Sequence, residues 1–168
     1  MVERNDVTIR QVIAADEQAI HALLKEAFEN PGEANLVDAL RHDGDMALEM
    51  VAEMEGDVVG HIAYSTVQAP VWALALAPLS VAPPFQKRGV GAALMDVSLQ
   101  RLRDKNWEAV FVLGDPDYYT RFGFSAAKAA RFDSAYDGKH FMALELAANC
   151  LENHDGDIRH APAFGKLS

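Results

Sequence analysis

The feature that most constrains the fold lies between residues 72 and 105, where three segments of different character follow one another. Residues 72–81 (WALALAPLSV) are almost wholly apolar, residues 82–91 (APPFQKRGVG) contain prolines and glycines, and residues 89–105 carry apolar side chains at helical spacing. The first segment predicts a buried central strand and the last predicts an amphipathic helix. The chain is therefore expected to contain a strand that leads through a short turn into a helix.

The turn before this helix has the composition of an anion-binding site. The first N–H groups of a helix have no intrahelical partner, and the positive end of the helix dipole lies behind them. Gly89 and Gly91 remove side chains where a phosphate would approach the backbone, and Lys87 and Arg88 add positive charge at the rim. Residues 86–91 are therefore predicted to hold a pyrophosphate.

Two other phosphate motifs can be tested against the same residues. The chain contains no G-x-x-x-x-G-K-[ST] string, which excludes a P-loop. A dinucleotide fingerprint, G-x-G-x-x-G/A, would need a small residue where Leu94 stands. The remaining alternative is that the glycines only cap or kink the helix.

Residues 86–91 resemble motif A of the GNAT superfamily of N-acetyltransferases, [Q/R]-x-x-G-x-[G/A], which here is Gln86, Gly89 and Gly91. The resemblance implies that the cosubstrate is acetyl-CoA. Its pyrophosphate would be bound by the turn and the first helical residues: Gln86, Lys87, Arg88, Gly89, Val90, Gly91 and Ala92.

The strand before the turn resembles the fourth strand of the same family. The resemblance implies that Leu79, Ser80 and Val81 contact the pantetheine arm, with backbone hydrogen bonds at positions 79 and 81. Pro78 cannot donate to a strand ladder, so the strand is expected to bulge or to part from its neighbour there. Such a parting agrees with the separated fourth and fifth strands of the family, between which the cofactor would lie.

Residues 118–124 (YYTRFGF) resemble a second family segment, [F/Y]-Y-x-x-x-G-F, and residues 114–116 (GDP) resemble a subgroup of small bacterial acetyltransferases. By this match Tyr119 takes the position of the tyrosine that donates a proton to the departing CoA thiolate. A thiol of pKa about 8.5 leaves as an anion, and a phenol of pKa about 10 can stabilise or protonate it. The alternative for Tyr119 is packing under the cofactor, and Tyr118 is expected to pack or to line the pocket.

The sequence does not identify the base that would deprotonate the amine. Residues 72–81 contain no carboxylate, which departs from family members that carry a glutamate there. The candidates are a water chain, Asp115, Glu49, Glu53 and His61, although a solvated face is expected for the two glutamates. The six histidines show no H-E-x-x-H or comparable spacing, so no metal is expected.

The rest of the chain predicts an α/β fold. Strands are predicted at residues 7–13, 47–54, 58–67, 109–113 and 141–146. Helices are predicted from Asp16, which is expected to cap the first of them, to Phe28, from about Leu36 to residues 42–44, and at 117–122. The resemblance, which covers residues 7–146, implies the GNAT fold: a mixed, mostly antiparallel central sheet with a βαβ unit and helices on both faces. One domain is expected over residues 1–168, with 147–168 an irregular extension that Ile158 and Phe164 could anchor.

Composition limits the partners. The net charge of −10 argues against nucleic acid, and no apolar run is long enough to cross a membrane. Residues 29–57 hold nine acidic side chains against one base, Arg41, which predicts either a solvated face or a rim that attracts a cationic acceptor. The acceptor is expected to be a small-molecule or peptide amine, and a homodimer is left open.

The remaining expectations concern location, cysteine chemistry and rival functions. The polar residues 1–6 show no secretory signal, which favours the cytoplasm, and the single cysteine, Cys150, is expected to be an inert thiol. The main prediction is direct acetyl transfer to an amine in a ternary complex. The rival functions are a non-catalytic acyl-CoA sensor on the same fold and an unrelated nucleotide-binding protein.

Overall fold

The computed structural model describes residues 7–135 and 140–166. Residues 1–6, on which the expectation about a secretory signal rests, and the last two residues of the predicted extension lie outside the described part. The helices are α1 (Glu17–Phe28), α2 (Gly32–Asp43), α3 (Val90–Asp104), α4 (Pro116–Tyr119) and α5 (Ala126–Ala129). The strands are β1 (Thr8–Gln11), β2 (Met46–Met54), β3 (Asp57–Gln68), β4 (Ala73–Val81), β5 (Ala109–Leu113), β6 (Phe132–Asp133), β7 (Phe141–Glu145), β8 (Gly156–Asp157) and β9 (Arg159–His160).

The main sheet has seven strands in the order β1-β2-β3-β4-β5-β7, with β9 paired to β3. The β1–β2, β3–β9 and β5–β7 pairs are antiparallel, whereas β4 and β5 are parallel because α3 connects them. This arrangement confirms the predicted fold class, a mixed α/β sheet with a βαβ unit.

The chain divides into two compact units, and the first comprises residues 1–64, 78–98 and 162–168. On one face of its strands, Val51 packs with Ile20 and Leu24 of α1 and with residues of α2. On the other face Gly60 lies against Val90 and Leu94 of α3 and beside Ala52. Since neighbouring residues of a strand point to opposite faces, helices cover both faces of this part of the sheet, as predicted.

The second unit comprises residues 65–77 and 99–161. Its core is aromatic: Phe111 of β5 stacks on Phe141 of β7 with ring centroids 5.5 Å apart and meets Phe132 edge-on at 5.4 Å. The segment expected to be irregular contains β8, β9 and a short 3-10 helix, Pro162–Lys166. Ile158 is buried in the aromatic core of this unit, while Phe164 is buried in the first unit.

Two local expectations need correction. Helix α2 ends at Asp43, within the predicted range, but it begins at Gly32 and not near Leu36. The reason is that the Asn30 side chain accepts a hydrogen bond from the Gly32 N–H and the Asn35 N–H donates to the Pro31 carbonyl. Asp16 precedes α1 without capping it through its side chain. Its carboxylate instead binds the Arg10 guanidinium at 2.7 Å and accepts the Ile13 N–H.

Candidate active site

The proposed pyrophosphate cradle, residues 86–92, lies at the start of α3. The strand β4 ends at Val81, a 3-10 turn covers Pro83–Phe85, and α3 begins at Val90. The backbone passes through the left-handed region at Lys87 (φ 63°) and at Gly89 (φ 84°). The first hydrogen bond of the helix runs from the Ala93 N–H to the Gly89 carbonyl at 3.0 Å, so the three N–H groups of residues 90–92 precede the helical ladder.

The side chains of the cradle are placed for an anion. Gln86, Lys87 and Arg88 are exposed, and the Gln86 side chain donates a hydrogen bond to the Val81 carbonyl at 3.0 Å. Across residues 7–135 and 140–166, neither Lys87 nor Arg88 forms an ion pair with a carboxylate. Two uncompensated positive charges therefore flank a helix N-terminus.

Strand β4 reaches beyond its parallel partner before it enters the cradle. Its register with β5 runs from the Ala73–Ala109 pair to the Leu76–Val112 pair, and β4 continues to Val81. Leu79 and Val81 are half-buried, whereas Ser80 is buried and its Oγ has no hydrogen-bond partner among the described residues. The pairing of β4 with β5 therefore ends two residues before Pro78, the residue at which a bulge or a parting of the strands was expected.

Tyr119 ends helix α4, which the Asp115 side chain caps by accepting the Asp117 N–H at 3.0 Å. The Tyr119 ring meets Tyr118 edge-on at 5.1 Å and Phe124 at 5.7 Å. Its hydroxyl has no hydrogen-bond partner within the described ranges. Burial, with a smaller effect of Tyr118, raises the pKa of Tyr119 to about 12, so the phenol is protonated throughout the neutral range.

Tyr118 packs in the same short segment. Its ring lies 5.4 Å from that of Phe122 and under the Arg121 guanidinium at 4.8 Å. This placement fits the expectation that Tyr118 packs, and the cation–π contact fixes its ring relative to the 3-10 turn Thr120–Phe122.

A buried polar cluster joins Arg41 of α2, Glu49 of β2 and His61 of β3. The Arg41 guanidinium donates to both Glu49 oxygens at 2.8 and 2.6 Å, and His61 Nε2 lies 2.7 Å from Glu49 Oε2. Burial opposes the charge on Glu49, but the hydrogen bonds from Arg41 and His61 outweigh it, and the pKa of this carboxyl lies below its usual value. A solvated face was expected for Glu49, and that expectation is wrong.

His61 is the histidine of this cluster and is fully buried. Burial lowers its pKa against the pull of Glu49, so the ring is neutral near pH 7. Because Glu49 is ionised, Nε2 carries the hydrogen and donates it, which leaves the Nδ1 lone pair without a partner in the described part of the chain.

Of the other two base candidates, Glu53 is bound by an arginine and Asp115 is exposed at the start of a helix. Glu53 accepts a hydrogen bond from Arg10 Nε at 2.6 Å, and Asp115 is exposed and caps α4. The cluster of Arg41, Glu49 and His61 was not predicted as a unit. The signal that pointed to it was Arg41, the single base in the acidic stretch of residues 29–57.

Comparison with known families identifies the family of this chain. The model of the acetyltransferase (GNAT) family matches residues 17–124. The chain belongs to this family. It is 34% identical to the uncharacterised N-acetyltransferase YhbS of Escherichia coli K12 over 166 residues, which cover 95% of this chain and 99% of that protein. The predicted resemblance to the GNAT superfamily is thereby confirmed.

Two solved GNAT structures are similar over nearly the whole chain. The crystal structure of E. coli YhbS in complex with CoA superposes with a TM-score of 0.92 at 32% identity and covers 97% of this chain and 94% of that one. A GNAT acetyltransferase from Brucella melitensis in complex with acetyl-CoA superposes with a TM-score of 0.81 at 32% identity and covers 94% and 97%.

Across 7–135 and 140–166, no group of three or more His, Cys, Asp or Glu side chains is placed to hold a metal ion. In the same ranges no helix has the length and apolar character needed to cross a bilayer.

Proposed function

We propose that this GNAT protein transfers an acetyl group from acetyl-CoA directly to a primary amine in a ternary complex. The observation that carries the proposal is the start of α3, where three N–H groups precede the first helical hydrogen bond and Lys87 and Arg88 are not neutralised. Solved relatives with 32% identity that hold CoA or acetyl-CoA support the choice of cofactor.

The proposed cofactor contacts follow the residues in chain order. Residues 86–92 hold the pyrophosphate through backbone N–H groups and the two basic side chains. Leu79 and Val81 bind the pantetheine amides as a neighbouring strand would, on the part of β4 that extends beyond its register with β5. Ser80 contributes a buried hydroxyl without a partner among the described residues, which is available to a polar atom of the cofactor or to a bound water.

In the proposed reaction the amine nitrogen attacks the thioester carbonyl carbon, and a backbone N–H of β4 stabilises the oxyanion. The C–N bond forms, the C–S bond breaks, and CoA leaves as a thiolate. We assign Tyr119 to this leaving group as a hydrogen-bond donor. A phenol with a pKa of about 12 is a weaker acid than a thiol with a pKa of about 8.5. Tyr119 therefore stabilises the thiolate, and the proton that neutralises the sulfur is the one the amine loses.

For the amine proton we propose a route through water. Arginine side chains bind Glu49 and Glu53, Asp115 caps a helix, and His61 is fully buried. None of these four side chains is both exposed and free to accept a proton from an amine. The geometry is consistent with an amine that reaches the site in its neutral form, with water accepting the proton that the amine loses.

The test combines calorimetry with CoA and a thiol-release assay with a panel of primary amines. Acceptor-dependent release of CoA supports acetyl transfer, and a control without amine measures hydrolysis. CoA binding without acceptor-dependent release would instead identify the acyl-CoA sensor. Binding of ATP or NAD in place of CoA would overturn both functions.

A further inference from the structure

A second cleft lies in the second unit, where β3 ends and β4 begins. It has a volume of about 570 Å³ and is lined by residues 66–73 together with Trp107 and Glu108. A cleft of this size falls in the range of small-molecule sites. None of the residues proposed for acetyl transfer lines this cleft, so it is a separate site.

Both tryptophans of the chain line this cleft. The rings of Trp72 and Trp107 have centroids 6.2 Å apart and planes at 75° to each other. Trp72 is 71% exposed, which is unusual for the largest apolar side chain. Two aromatic faces at a steep angle in an open cleft are the arrangement that attracts a cation through the ring quadrupoles.

Glu108 supplies the only charge among the residues that line the cleft. Its carboxylate accepts a hydrogen bond from the backbone N–H of Trp72 at 3.3 Å. Among the described residues Glu108 has no lysine, arginine or histidine partner. A carboxylate beside two indole rings favours a ligand that carries a positive charge and apolar groups together.

Backbone hydrogen bonds fix the segments that carry these three side chains before any ligand binds. The Trp72 carbonyl accepts hydrogen bonds from the Glu108 N–H at 2.8 Å and the Ala109 N–H at 3.2 Å, and the Trp107 N–H donates to Leu102 at 3.1 Å. Such preorganisation lowers the entropic cost of binding.

We propose that this cleft binds a small organic cation of the quaternary ammonium type. The other occupant to consider is a second copy of the chain. A symmetric dimer through this face would bring two Glu108 carboxylates into one interface, and each chain carries a net charge of −10. Repulsion between the two carboxylates and between the two negatively charged chains opposes dimerisation through this face, whereas both negative charges attract a cation.

The probe is choline, with 3,3-dimethyl-1-butanol as its uncharged isostere, titrated at constant ionic strength. Because the chain has two tryptophans and both line the cleft, fluorescence excited at a wavelength that tryptophan absorbs and tyrosine does not reports on this site. A saturable change with choline, and binding of the alcohol at least about tenfold weaker, is the expected result. Equal affinities, or no saturable change, would overturn the proposal.

Two variants distinguish the local effect of the Glu108 charge from the effect of a change in net charge. Glu108→Gln should weaken choline binding at least about fivefold. Asp155→Asn removes the same charge from an exposed position outside the cleft and should leave choline binding unchanged. Circular dichroism melts check that both variants fold. Equal choline affinity in the two variants, or a dimer that dissociates on Trp72→Leu, would assign the cleft to another role.

Discussion

Gly114 lies directly against the ring of Tyr119: a β-carbon at position 114 would stand 2.9 Å from Tyr119 Cδ2 and closer still to Cε2. Gly114 directly follows β5, and Tyr119 is the last residue of α4. Tyr118 and Phe124 hold other sides of the ring. The position of the phenol therefore depends on the absence of a side chain five residues earlier.

Gly114→Ala is expected to displace the Tyr119 ring, because overlap at this distance forces a shift of the ring or the turn. Turnover should fall while the CoA dissociation constant changes little, and the free energy of unfolding should drop by about 1 to 3 kcal/mol. Steady-state kinetics, calorimetry and urea unfolding measure the three quantities. Gly165→Ala is the matched control, since a β-carbon there meets nothing within 4 Å. Equal turnover in both variants would contradict the assignment.

Tyr119→Phe removes the hydroxyl and keeps the ring packing. We expect turnover to fall about 100-fold with little change in acetyl-CoA binding, as for the loss of one donor to a developing anion. Tyr118→Phe is the control and should stay close to the original rate. Unchanged turnover in Tyr119→Phe would remove this residue from the mechanism.

Gly89→Glu should abolish CoA binding, because the carboxylate would occupy and repel the pyrophosphate position. Part of any effect at this residue comes from the backbone, since Gly89 has φ 84° and a side chain there costs about 1 to 2 kcal/mol. Gly89→Ala carries this strain without the charge and should retain measurable binding in calorimetry. Loss of binding to the same extent in both variants would show that strain, and not the anion site, explains the result.

Glu49→Gln is expected to lower the free energy of unfolding by about 2 to 3 kcal/mol. The change removes the buried ionic partner of the Arg41 guanidinium, which keeps only the more exposed carboxylates of Asp38 at 3.2 Å and Glu17 at 3.6 Å. Urea unfolding at pH 7 provides the measurement. Asp43→Asn, an exposed acidic residue next to the same helix end, should change stability by less than about 0.5 kcal/mol. A loss as large in the control would point to general charge effects.

Stability should fall as pH drops below 6.5. The pKa of His61 is lowered by burial, so the unfolded chain takes up a proton at His61 that the folded chain does not. Below about pH 4.5 Glu49 adds to the loss, because its folded pKa is also lowered and the unfolded carboxyl is protonated first. Urea unfolding between pH 7 and 5 should show a shallower decline for His61→Gln than for the original chain. Identical declines would rule out His61 as a source.

The parts of the site that could be read from the sequence are those that short segments determine. A glycine-containing turn before an amphipathic helix predicts a helix N-terminus, and β4, α3 and β5 lie within one or two residues of their predicted bounds. The burial of Glu49 could not be predicted in this way. Its partners Arg41 and His61 lie 8 and 12 residues away and belong to a different helix and strand, so only the folded sheet brings them together.

The predicted extension beyond residue 146 shows the same limit. Residues 159 and 160 pair with Val67 and Gln68 of β3, about ninety residues earlier in the chain. A two-residue strand has no hydrophobic period to detect. The start of α2 was missed for a related reason, since a Pro-Gly pair normally indicates a break, and here it begins a helix.

The close approach of α3 to β3 carries a consequence for how this enzyme family can diverge. A β-carbon on Gly60 would stand 3.0 Å from side-chain atoms of both Val90 and Leu94, so any larger residue at position 60 would push against the first two turns of that helix. A substitution on β3 could thus change how the chain holds its cofactor without contacting it.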